Sequence, residues 1–160
     1  MANSNSGRKV VMTPTETQHS AFQSAVSTVR ILVADDHEVM RLGMRNLLET
    51  QPHWEVCAEA SNGKEAVEKT AECNPDVVIL DITMPTMNGL EAANRISTSH
   101  PQIPIILFSL HLANDMINTL KCPTIRGAVS KGEAGRDLVD AVDAVLNGGT
   151  FFRGKKAFPG

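Results

Sequence analysis

The chain has 160 residues, 42% of them hydrophobic and 21% charged, with a formal net charge of -3. That balance suits one soluble domain with a sizeable core, and the small negative charge gives no sign of a nucleic-acid or anionic-membrane surface. No apolar run approaches the ~20 residues a membrane helix needs, and Val10-Val11-Met12 before Thr13-Pro14 is too short for a signal-peptide core. Cys57, Cys73 and Cys122 form no CxxC pair. They fit a cytoplasmic setting in which thiols serve as small apolar residues.

Residues 1–28 are rich in Ser, Thr, Asn and Gln without sustained periodicity, and read as a disordered tail. Arg30-Ile31-Leu32-Val33-Ala34 is a first buried strand that ends in Asp35-Asp36. A helix follows, with Met40, Gly43, Met44, Leu47 and Leu48 spaced to form one apolar face. Residues 54–60 are a second strand, and Glu55 and Glu59 mark it as an exposed edge. Trp54 is expected to pack at that edge. Asn62, with Glu65 three residues on, caps a second helix that Asn74-Pro75 stops. Val77-Val78-Ile79-Leu80 then runs unbroken into Asp81, and Ile82-Thr83-Met84-Pro85 turns away from it. This is the pattern of a fully buried strand. Asn88-Gly89 opens a helix with Leu90, Ala93 and Ile96 inward. Residues 104–109 form a fourth strand ending in Ser109, and a short helix is expected near 113–121 before Pro123. Gly127-Ala128-Val129-Ser130 is a short fifth strand with Lys131 directly after it. The last helix carries Leu138, Ala141, Val142, Val145 and Leu146 on one face and stops at Gly148-Gly149. Asp137, Asp140 and Asp143 are expected to form an outward acidic stripe on it. Residues 151–160 read as a tail or linker stub.

Five strands alternating with five helices imply an α/β domain over residues 29–150, with a doubly wound parallel sheet and right-handed crossovers. In such a sheet the C-terminal ends of the strands share one edge, so Asp35, Asp36, Asp81, Ser109 and Lys131 converge. Singly, each has an ordinary explanation as a helix cap, a turn residue or a solvated lysine. Together they place several carboxylates in one cleft, which repel unless a cation or protons neutralise them. Hard oxygen donors suit Mg²⁺ shared with a phosphate. A lysine and a hydroxyl beside them suit a phosphoryl group, and the fitting chemistry is carboxylate attack on phosphorus to give an aspartyl phosphate.

These residues resemble the receiver domain of two-component response regulators. The match lies in Asp35-Asp36, in the run from Asp81 through Thr83 and Pro85 to Asn88-Gly89, in Ser109 and in Lys131. The opening Val33-Ala34-Asp35-Asp36-His37-Glu38 and the closing Asn147-Gly148-Gly149-Thr150-Phe151-Phe152 are similar to NarL/FixJ-type receivers. The resemblance implies a flavodoxin-like five-stranded sheet of order 2-1-3-4-5. It implies Asp81 as phosphoacceptor for a histidine kinase or phosphotransfer protein. It implies Mg²⁺ held directly by Asp36, Asp81 and the Thr83 carbonyl, and through water by Asp35. Ser109 and Lys131 are implied to engage the phosphoryl group. Homodimerisation is implied through the first and last helices, or through the face of the fourth helix, fifth strand and fifth helix. The resemblance also implies a switch and not an enzyme. With no helix-turn-helix after the last helix and no long apolar run, this chain itself is expected to bind no nucleic acid and no membrane. The resemblance leaves open whether the receiver stands free or forms part of a longer regulator of transcription.

Two positions depart from the pattern. Such receivers place an aromatic three residues before the lysine, where this chain has Ala128, and Pro123 stiffens the link into the fifth strand. Ala128 motivates an alternative, a receiver-like interaction module that works without phosphate. A phosphohydrolase of haloacid-dehalogenase type would need an acid two residues after Asp81, where Thr83 stands. No Gly-rich nucleotide loop is present. His111, two residues after Ser109, is a candidate gate for the site, and His37 reads as a first-turn helix residue.

Overall fold

The structure, a computed structural model, describes residues 27–112 and 122–152. The elements run β1 (Val29–Ala34), α1 (Glu38–Leu48), β2 (Trp54–Ala60), α2 (Gly63–Cys73), β3 (Val77–Asp81), α3 (Gly89–Ser99), β4 (Ile105–Ser109), β5 (Ile125–Ser130), a 3-10 turn (Lys131–Glu133), α4 (Ala134–Leu146) and β6 (Phe151–Phe152). The first 26 residues, the helix expected at 113–121 and the end of the chain from 153 lie outside the described residues.

The strands form one sheet in the order β2-β1-β3-β4-β5-β6, every pairing parallel. The unbroken apolar runs follow from burial on both faces. Successive side chains of a strand point to opposite sides. Leu32, Ala34, Val78, Leu80 and Leu107 therefore face one layer, with Ala66 of α2 and Ala92, Ala93 and Ile96 of α3. Ile31, Val33, Ile79, Ile106 and Phe108 face the other, with Met44 and Leu48 of α1 and Leu138, Ala141 and Val142 of α4. Trp54 packs against this second layer at the sheet's β2 end. The three cysteines are free and half-buried.

The caps follow the sequence. Asn62 Oδ1 accepts from Glu65 N at 2.8 Å, and Glu65 Oε1 accepts from Ser61 N at 2.8 Å, a reciprocal arrangement that fixes the start of α2. Asn74 ends that helix in the left-handed region, with φ 50°. Asn88 caps α3 in the same way as Asn62, through Glu91 N at 2.9 Å.

Three expectations need correction. The sheet has a sixth strand: Phe151 and Phe152, assigned from sequence to the tail, pair with Gly127 and Ala128 of β5. Gly148, at φ 86°, turns the chain back toward the sheet. At Gly127 a Cβ would stand 3.2 Å from the Phe151 carbonyl oxygen, so the bare backbone is what admits the strand. The two phenylalanines pack on opposite layers, Phe152 on the first and Phe151 on the second. Second, β5 begins at Ile125, two residues ahead of the expected start. Third, two side-chain directions differ. Gly43 lies on the solvent side of α1, with nothing within 4 Å of its would-be Cβ. Asp137 is buried, 3% exposed, beside Arg136 Nε at 3.0 Å, which leaves Asp140 and Asp143 as the exposed acids of α4.

Glu59 of β2 ties the β2 edge to α1. It accepts from Arg41 Nε at 3.0 Å and from Arg45 Nε at 2.9 Å. Burial works to raise its pKa, but the hydrogen bonds and charges of Arg45 and Arg41 outweigh it and hold the carboxyl below its usual range. A depressed folded-state pKa means stability that is present above the unfolded value of about 4.3 and is lost as pH falls through the folded value. Glu59→Gln is therefore expected to cost about 1 kcal/mol at pH 7, after allowance for solvent screening. That deficit should shrink as urea titrations are carried down toward pH 3. A deficit unchanged with pH would assign Glu59 to packing.

The glycines make a second test. A Cβ at Gly89 would stand 2.0 Å from the Asp81 carbonyl oxygen. Gly89→Ala is thus expected to destabilise by more than about 2 kcal/mol, whereas Gly43→Ala should stabilise α1 by about 1 kcal/mol. Denaturant midpoints of the two variants moving the same way would contradict the placement.

Candidate functional site

The site forms where β1, β3, β4 and β5 end. Asp35 follows β1 and is fully buried. Its backbone is held on both sides: its N–H donates to Ala60 O at 3.0 Å, and its carbonyl accepts from Arg41 Nη1 at 2.8 Å. Arg41 in turn is gripped by Glu59, so the β2 edge positions the first acid. Asp36 follows, with its side chain 32% exposed.

Asp81 is the last residue of β3 and is 3% exposed. Its Oδ1 accepts from Thr83 N at 3.3 Å. The loop beyond it is stitched down by Gly89 N to Ile82 O at 2.8 Å and by Gly63 N to Met87 O at 2.8 Å. Gly63 also has no room for a Cβ, which would meet Met87 O at 2.2 Å. The N-terminus of α2 and the loop carrying Thr83 are thereby in direct backbone contact.

Lys131 opens the 3-10 turn after β5. Its side chain is only 7% exposed, and its Nζ stands 2.8 Å from Asp35 Oδ2 and 3.1 Å from Asp81 Oδ2. The contact with Asp81 is an aligned hydrogen bond, while Asp35 Oδ2 has no aligned hydrogen-bond donor. The ammonium also lies 5.7 Å from the centroid of the Phe108 ring. Burial pushes the Asp81 carboxyl above its ordinary pKa and Asp35 adds to this, against the opposing pull of the Lys131 hydrogen bond. For Lys131 burial acts to lower the pKa, but its bonds to Asp35 and Asp81 prevail and hold it above the usual lysine value. The lysine is therefore a pinned, charged counter-ion.

Ser109, at the end of β4, is 8% exposed and its hydroxyl is engaged with its own loop. Oγ accepts from His111 N at 3.2 Å and donates to His111 O at 3.3 Å. His111 thus meets Ser109 through its backbone, and its residue as a whole is exposed. Thr83 is exposed on the loop after Asp81. Ala128 is buried in the first layer, between Leu107 of β4 and Phe152 of β6.

His37 was expected in the first turn of the helix that follows the two acids. It sits at the N-cap of α1, and its Nδ1 lies 3.3 Å from Asp35 Oδ1 and 3.2 Å from Asp36 Oδ1. Donor atoms of Asp35, Asp36 and His37 lie within 4.8 Å of one another. The run Asp35-Asp36-His37 was the available signal. A cation fits here: the donors are carboxylates and an imidazole, and the buried Asp35 and Asp81 carboxylates share the one ammonium of Lys131. Asp81 is turned instead to Lys131 and Thr83.

Known proteins are similar to this chain in sequence and in fold. A sequence model of the response regulator receiver domain matches residues 31–143. The transcriptional regulatory protein DegU of Brevibacillus brevis is 31% identical over 127 residues, 79% of this chain and 54% of that one. The response regulator protein VraR of Staphylococcus aureus is 31% identical over 125 residues, 78% of this chain and 60% of that one. The chain thus spans a little over half the length of these curated relatives. Among solved structures, a LuxR-family two-component response regulator from Aurantimonas sp. SI85-9A1 superposes with a TM-score of 0.73 at 34% identity, covering 78% of this chain and 89% of that one. The signal receiver domain of the putative response regulator NarL from Mycobacterium tuberculosis gives a TM-score of 0.71 at 28% identity, covering 77% and 99%. With the family match extending over most of the chain and the parallel sheet in the receiver order, this chain belongs to the response regulator receiver domain family.

Proposed function

We propose that this receiver accepts a phosphoryl group on Asp81 from the phosphohistidine of a histidine kinase or phosphotransfer protein, and that the change is passed to a protein-interaction surface. The observation that carries the reading is the buried Asp81 carboxylate at a strand end, hydrogen-bonded at 3.1 Å to a lysine that also faces Asp35. A carboxylate oxygen of Asp81 attacks phosphorus, a P–O bond forms, the P–N bond to the donor histidine breaks, and the imidazole leaves with the electron pair. Lys131 is already in place to neutralise charge on the transferring oxygens. Asp35 and Asp36, with the Thr83 carbonyl and Asp81, would hold Mg²⁺. When bound, that ion supplies charge stabilisation for the phosphoryl oxygens. Ser109 would have to leave its bonds with His111 to reach the phosphoryl group.

A second reading, an interaction module that works without phosphate, is favoured by Ala128 and by the closed Ser109–His111 pair. Both readings predict a folded receiver, and they part on chemistry. Intact-mass measurement after incubation with acetyl phosphate and Mg²⁺ should show one added phosphoryl group, absent from Asp81→Asn and from protein treated with chelator. No adduct in protein that binds Mg²⁺ would favour the phosphate-independent module.

The pinned lysine makes a further prediction. Lys131→Ala leaves two buried carboxylates without their counter-ion, and is expected to cost about 3 kcal/mol at neutral pH in metal-free buffer. Mg²⁺ should recover more stability in this variant than in the parent protein. Equal stabilisation of both in thermal melts would show that the ion and the lysine do not share the same acids.

A further inference from the structure

We infer that His37 is a further protein donor of the acidic site and biases it toward divalent transition ions over Mg²⁺. The inference rests on the metal site proposed above and extends it to a residue outside the expected ligand set.

An N-cap side chain ordinarily turns to the free N–H groups of the first helical turn. His37 occupies that position on α1 and makes no such bond. Its Nδ1 points to the two acids instead, 3.3 Å from Asp35 Oδ1 and 3.2 Å from Asp36 Oδ1. An octahedral ion with bonds of about 2.1 Å has neighbouring donors separated by about 3 Å. The imidazole nitrogen therefore stands near the spacing of adjacent corners from each acid, and the three donor atoms lie within 4.8 Å of one another. The loop is held in this shape by the backbone, since His37 N donates to Asp35 Oδ1 at 2.8 Å.

The burial of Asp35 bears on the same site. Its side chain has no exposed surface, its Oδ2 meets the Lys131 ammonium at 2.8 Å, and its Oδ1 is the oxygen turned toward His37. One ammonium shared with Asp81 leaves two buried carboxylates short of positive charge. Access is also provided for: the His37 side chain is 72% exposed and that of Asp36 32%, so an ion can enter from solvent while Asp35 anchors it from beneath.

Ligand chemistry then decides which ion. Two carboxylates alone favour no transition metal over Mg²⁺ beyond the general order of affinities. A neutral imidazole does, because it suits transition ions while Mg²⁺ holds to oxygen and water. The added donor therefore appears as a change in the ratio of affinities.

The test uses Mn²⁺ as the probe on the full chain. Pulsed electron paramagnetic resonance of the Mn²⁺-loaded protein should show coupling to an imidazole nitrogen, lost in His37→Ala. The ratio of Mn²⁺ to Mg²⁺ affinity, from competition titrations, should fall about tenfold in the same variant. His37→Asn supplies a side chain suited to capping α1, and serves as the control for any effect on folding; it too should lack the nitrogen signal. Mn²⁺ bound in a manner that Asp36→Asn abolishes, yet without nitrogen coupling, would overturn the role of His37 and leave the acidic site standing. Binding of neither ion by the parent protein would overturn both.

Discussion

Two aspartates are buried at neighbouring strand ends, and one ammonium stands between them. The contacts of Lys131 Nζ with Asp35 Oδ2 at 2.8 Å and Asp81 Oδ2 at 3.1 Å are the interaction on which the cleft depends. Buried carboxylates this close repel and pull protons from solvent unless a cation opposes them. A cationic group outside the sheet would be screened, but the Lys131 side chain is buried, with its ammonium 5.7 Å from the Phe108 ring centroid, where solvent screens it less. The cost of burying the three charges is recovered only if each is well placed, which is why so much backbone structure converges on this edge.

That convergence runs through residues with no charge of their own. Gly89 lies so close to the Asp81 carbonyl that no side chain fits, and Gly63 is equally close to Met87. These approaches lock the loop after β3 to the starts of α2 and α3. On the other flank, Glu59 holds Arg41, and Arg41 holds the Asp35 carbonyl. The acids are thus fixed by neighbours on the sheet and are not free to spread apart. A site built this way is suited to a ligand that brings its own charge, because positions need not be reorganised when it arrives.

The sheet was legible in the sequence because its strands are buried on both faces. Val77 to Leu80 and Ile105 to Phe108 are runs that only a covered parallel strand explains. The site was legible for the related reason that strand ends share an edge, so Asp35, Asp81, Ser109 and Lys131 could be brought together from strand boundaries alone. What escaped depended on contacts distant in sequence. The pair Phe151-Phe152 is too short for periodicity, and its strand lies close against Gly127 of β5, where a Cβ would stand 3.2 Å from the Phe151 carbonyl oxygen. Asp137 shares the spacing of Asp140 and Asp143 but lies on the buried side of α4, where Arg136 meets it. His37 looked like a helix residue, and the contacts of its Nδ1 and its backbone N–H tie it to the acids. The missing aromatic at Ala128 was visible, while the neighbour that packs on the same layer beside it, Phe152, was not.

The account stands on Asp81 as the atom-donating carboxylate among the acids of one cleft, and the sharpest measurement is one that assigns the modified residue. The phosphorylated protein would be reduced with borohydride, which converts an aspartyl phosphate to homoserine, and then digested and mapped by tandem mass spectrometry. The account predicts homoserine at Asp81, with Asp35 and Asp36 unchanged. Homoserine at Asp35 or Asp36, with Asp81 intact, would contradict it.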